Sequence, residues 1–160
     1  MLNPLLSSLH WDDGRLEDVH DYIQWLFPLP ERSGANPWAP VLTAEDIAAF
    51  HEHGAIRERL LAAFQRMMLF YGLVAREGRV ERGPKFAEHA RSWLHPGNHN
   101  HLRITRMLRS LRLLGLEDDA AAFWRFLEQL YRDEPDAITE RTFGFWQRAA
   151  EGPIPSAKNG

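Results

Sequence analysis

The chain has 160 residues, a formal net charge of −3 and no cysteine. That length suits one domain, which on folding buries roughly 68–70% of the surface its unfolded form exposes, enough for a core without staples. The charge gives no general pull toward nucleic acid or anionic membrane, and the missing cysteines exclude disulfides, thiolate metal sites and cysteine nucleophiles. The longest apolar run, Met67–Ala75, is nine residues broken by Gly72, against about 20 for a bilayer span. The start MLNPLLSSLHWDDGR lacks the basic and apolar regions of a secretory signal, so a cytoplasmic location is expected. The basic residues are 17 Arg to 2 Lys, a bias that reads as a GC-rich, bacterial genome.

In chain order, residues 1–15 read as an irregular arm, with turn signals at Asn3-Pro4 and Asp13-Gly14. Leu16, Val19, Ile23 and Leu26 have helical spacing, with Asp13 as N-cap and Pro28 and Pro30 as the stop. Residues 28–42 form a proline-rich loop that Trp38 is expected to anchor. Thr43, followed by Glu45 and Asp46, caps a second helix that Gly54 is expected to close. A longer helix follows with Ile56, Leu60, Phe64, Met67, Met68 and Tyr71 inward. Its apolar end predicts a central position.

Val74–Gly83 carries alternating charges and two glycines and reads as a loop or a short hairpin. Pro84 begins a helix with Phe86, Ala90, Trp93 and Leu94 inward, broken at His95-Pro96-Gly97. Asn98 or Asn100 caps the next helix, which runs to about Leu114. A further helix starts at Glu117, and a last one spans about 137–150. Residues 151–160 read as a flexible tail. No longer strand pattern appears. The expectation is an all-α fold: one compact domain, residues 16–150, of six to seven helices in an orthogonal array.

Three pieces stand out: HDYIQWLFP at residues 20–28, Phe70-Tyr71-Gly72, and HNHLRITR at residues 99–106. In order and spacing they resemble the conserved domain of the opioid growth factor receptor family, over roughly residues 8–135. The resemblance implies a binding module rather than an enzyme. The animal members are receptors for the peptide Met-enkephalin, nuclear or nuclear-envelope associated, linked to slowed proliferation, and extended at the C-terminus by long, often repetitive segments. This chain stops soon after the domain, so a short member is expected. No catalytic residue is implied, and no motif calls for a metal or cofactor.

Tyr22, Gln24, Trp25, His99, Asn100, Arg103 and Arg106 are therefore the candidate ligand-binding residues, with a peptide or protein segment as partner. The plainer reading is packing. Trp25 and Phe27 cannot both point the same way, and one of them is expected to anchor the loop. Gln24, if buried, needs partners. Arg103, Arg106, Arg109 and Arg112 recur every third residue, so they spread over half a helix surface and cannot face one flat partner. The segment from Arg76 to Arg112 holds nine basic residues and three acids, and the first 31 residues hold one and six. Mutual neutralisation is the simplest account; a solvated face or an anionic ligand such as phosphate or RNA are the others. The start of the Asn100 helix is the best anion-binding spot. His95, His99 and His101 match no zinc motif, though with His10, Asp12, Asp13 and His20 they leave a metal-dependent hydrolase as an alternative.

Overall fold

The computed structural model describes residues 8–154. Residues 1–7 of the expected N-terminal arm and residues 155–160 of the tail lie outside them. Among the described residues there are eight helices and one two-stranded sheet: α1 Asp13–Asp18, α2 Ile23–Leu26, α3 Ala44–Glu52, α4 Gly54–Phe70, β1 Leu73–Arg76, β2 Arg79–Arg82, α5 Phe86–Trp93, α6 Asn100–Leu113, α7 Glu117–Asp133 and α8 Glu140–Glu151. The mostly helical architecture matches the sequence expectation. No helix among them is long and apolar enough to cross a membrane.

The single helix expected from Leu16 to Leu26 is two. Asp12, not Asp13, caps α1, its carboxylate accepting from the Arg15 amide. The chain then turns extended at Val19 and resumes as the single turn α2. A continuous helix would hand the Leu16 and Val19 carbonyls to the amides four residues on. Instead the Arg103 guanidinium takes both.

The Thr43–Asp46 capping box opens α3 as its sequence predicts. The break after it falls at His53, in extended conformation, and Gly54 opens α4 rather than closing α3. Arg57 donates to the Phe50 and His51 carbonyls, satisfying the frayed end of α3.

Residues 73–82 form an antiparallel hairpin pairing Leu73 with Arg82 and Ala75 with Val80. Its two-residue loop, Glu77-Gly78, has positive φ at both positions, 51° and 72°. That is the turn geometry that follows the twist of paired strands, and Gly adopts it without penalty. Gly72 also has positive φ, 78°. A Cβ there would lie 2.8 Å from the Phe86 Cα, so only glycine lets α5 pack against the exit of α4.

The centre of the core is α6 rather than α4. On α6, Ile104, Met107, Leu108 and Leu111 are fully buried, as are Asn100 and Ser110. Helices α7 and α8 pack against it. On α4 one stripe is buried (Leu60, Phe64, Met67, Met68), and Leu69 on the other face is 56% exposed. Trp38 does not anchor the proline-rich loop: it is 89% exposed. The loop is held at its ends, where the Leu42 amide donates to the Leu29 carbonyl and the Ser110 hydroxyl to that of Pro28.

Candidate functional site

The candidate residues fall into two places. Around the first turn of α6, Glu17 from α1 is the hub. Its carboxylate meets His99 Nε2 at 2.8 Å and accepts from Asn100 Nδ2 at 3.2 Å, with Arg103 Nη1 at 3.9 Å. Asn98 caps the helix through the Asn100 amide. The spot expected to take an outside anion is thus occupied by the chain's own carboxylate.

Arg103 is 5% exposed. It donates to the Leu16 carbonyl and Asn100 Oδ1 at 3.1 Å and to the Val19 carbonyl at 3.2 Å. Tyr22 is buried beside it, its hydroxyl donating to the same Leu16 carbonyl at 2.8 Å. Burial pushes the Tyr22 hydroxyl up to about 12, with nearby Glu17 adding and Arg103 opposing. Tyr71 is also driven upward by burial. Its hydroxyl contacts Asn100 Oδ1, so the Phe70-Tyr71-Gly72 piece meets the other two here.

Three of the four arginines of α6 share one task on different faces. Helix C-termini leave carbonyls without partners. Arg103 serves the end of α1, and Arg106 serves α2 through the Phe27 and Gln24 carbonyls. Arg112 serves the end of α8 through those of Ala149 and Gly152. Burial lowers Arg106 to about 10, partly offset by Glu31. Charge neutralisation, the expected role, holds for Arg109 with Glu31 and for Arg103 with Glu17. Carbonyl capping carries the rest.

The three histidines diverge. His95 Nε2 accepts from Asn98, His99 pairs with Glu17, and His101 Nε2 donates to the Trp93 carbonyl at 2.9 Å. A carbonyl only accepts, so His101 Nε2 carries the proton and Nδ1 is left bare, without a partner among the described residues. Burial between the Trp93 and Trp146 rings lowers the His101 pKa. Among the described residues no three His, Asp or Glu side chains are grouped to hold a metal ion.

The second place is a groove of about 420 Å³ between α2, the segment Pro40–Leu42, α3 and α4. Trp25 forms part of its wall and is 39% exposed, and Val41 is 40% exposed. Phe27, two residues from Trp25, is fully buried, as the helical spacing requires. Phe50, Ile56, Leu60 and Ala63 complete the apolar surface, with Asp46 and Arg59 as its charged members. Of the seven candidates, only Trp25 lines this groove. Gln24 turns inward, 6% exposed, with Oε1 unpartnered among the described residues.

Sequence reasoning missed the groove because Ile56, Leu60 and Ala63 share the stripe that packs the core. The available signal was Val41 and Leu42, apolar residues directly after a proline-rich stretch.

The family model for the opioid growth factor receptor (OGFr) conserved region matches residues 1–150. The mouse opioid growth factor receptor is 43% identical over 122 residues, covering 73% of this chain and 19% of that protein. The human opioid growth factor receptor is 38% identical over 147 residues, covering 88% of this chain and 21% of its own length. Opioid growth factor receptor-like protein 1 of Xenopus tropicalis is 39% identical over 119 residues, 73% of this chain and 23% of that protein. The chain thus spans about a fifth of the length of these relatives. No solved structure matches. With the family model matched over nearly its whole length, the chain belongs to the opioid growth factor receptor family.

Proposed function

We propose that this domain is a peptide-binding module and that its ligand lies in the groove walled by Trp25. The observation that carries this reading is a concave apolar surface of about 420 Å³ next to a half-exposed tryptophan. Its size falls within the usual range for ligand pockets, and exposed aromatics in such places anchor partners at low entropic cost. The polar motif residues around α6 support it by exclusion. Tyr22, Asn100, Arg103 and Arg106 are spent on the chain's own carbonyls and on Glu17. Relatives named as opioid growth factor receptors agree with a receptor-like role, with Met-enkephalin-type peptides as the first class to try. No side chain is assigned a catalytic role.

The test is titration calorimetry with Met-enkephalin and with a library of short apolar peptides, on the wild type and on Trp25→Ala. A bound peptide is expected to lose at least about tenfold in affinity in Trp25→Ala. The folding stability of that variant is expected to fall by about 2–3 kcal/mol, since Trp25 is 39% exposed, and the protein should stay folded. Silence across both sets from well-folded protein would end the reading.

A further inference from the structure

The groove's two charged residues differ in what they are free to do. Asp46 is committed: its carboxylate accepts from the Thr43 amide at 2.8 Å and the Thr43 hydroxyl at 2.9 Å. The Arg59 side chain makes no hydrogen bond, ion pair or ring contact among the described residues. Arg57 and Arg66, on the same helix, are both engaged, on the Phe50 and His51 carbonyls and on Asp13 with the Trp11 carbonyl. An apolar groove with one uncommitted guanidinium favours an apolar ligand with one negative charge. A cationic ligand would be repelled by Arg59, and the carboxylate nearby is already taken.

We infer that the groove takes an apolar peptide segment bearing one acidic side chain, Asp or Glu, placed against Arg59. This rests on the groove being the peptide-binding site. A side-chain carboxylate fits better than a free C-terminus. Terminal carboxylates are captured by nests of backbone amides. At the neighbouring start of α3 the Thr43 and Asp46 amides are served by the Thr43–Asp46 box. Arg59 lies on exposed surface, so the pair is partly screened and acts on specificity more than on total affinity.

The test uses capped hexapeptides of Leu and Phe, acetylated and amidated, with Glu, Gln or Lys at one scanned position, titrated against wild type, Arg59→Gln and Arg59→Glu. At low salt the best Glu peptide is expected to bind wild type about three- to tenfold tighter than its Gln isostere, with Lys weakest. The preference should shrink at about 0.5 M salt, vanish in Arg59→Gln and reverse toward Lys in Arg59→Glu. Equal binding of Glu and Gln peptides, still abolished by Trp25→Ala, would overturn the inference and leave the groove as the site. A Gln peptide with a free C-terminus that matches the Glu gain and loses it in Arg59→Gln would overturn the side-chain assignment. No binding by any peptide would remove the groove reading and this inference together.

Discussion

Replacing Arg103 by Met keeps most of the stem and removes the guanidinium. Three hydrogen bonds go, to the Leu16 and Val19 carbonyls and Asn100 Oδ1. Charge-assisted bonds of this kind are worth about 1.5–3 kcal/mol each. The full sum overstates the loss, because the Leu16 carbonyl keeps the Tyr22 hydroxyl and Asn100 Oδ1 keeps the Tyr71 hydroxyl. Glu17 keeps His99. A net loss of about 3–5 kcal/mol is expected, as for one partner removed from a buried charged pair. For a domain of this size that lowers Tm by about 6–20 °C. Arg103→Lys should recover less than half of it, since an ammonium cannot fork between two carbonyls. Urea unfolding followed by far-UV circular dichroism and tryptophan fluorescence measures both variants. A loss under about 1 kcal/mol for Met, or a Lys variant equal to wild type, would refute the claim that this arginine holds α1 and α2 in place.

Two further predictions follow from the same packing. Gly72→Ala forces a side chain into the left-handed region and against the Phe86 backbone; it should cost roughly 2–4 kcal/mol, read by the same urea unfolding, and a neutral result would contradict the close approach of α5. His101 is held neutral by burial, which lowers its folded pKa below the ordinary histidine value. The unfolded chain then binds the proton first, so its stabilisation is complete above about pH 6.5 and is lost as pH falls from there toward the folded pKa. Unfolding free energy should drop by up to about 1.4 kcal/mol per pH unit from this group, and His101→Gln should flatten that part of the profile; an unchanged slope would place the titration elsewhere.

The helices were legible where local signals suffice. Thr43 with Asp46, the Glu117 start and the stop near Leu114 mark boundaries by chemistry confined to a few residues, and the structure keeps them. The break between α1 and α2 was not legible, because Arg103 causes it from 84 residues away along the chain. The every-third arginines of α6 show the same limit. Their spacing predicts divergence, which holds, but not that Arg103, Arg106 and Arg112 each reach the C-terminus of a different helix. The site divides in the same way. Trp25 was reachable from its clash of direction with Phe27. Arg59 was hidden, because an exposed helical arginine carries no local sign that it lacks a partner.

The central claim is that the family motifs around α6 build the fold while the groove at Trp25 does the binding. Nuclear magnetic resonance with the tightest peptide tests it directly, since the indole N–H signals of Trp25, Trp93 and Trp146 report separate regions. The account predicts that Trp25 and the methyl groups of Val41, Ile56 and Leu60 shift on titration, while the buried indoles of Trp93 and Trp146, bonded to the Tyr71 and His101 carbonyls, stay still. Shifts centred on His99, Asn100 and Arg106 with Trp25 unmoved would contradict it.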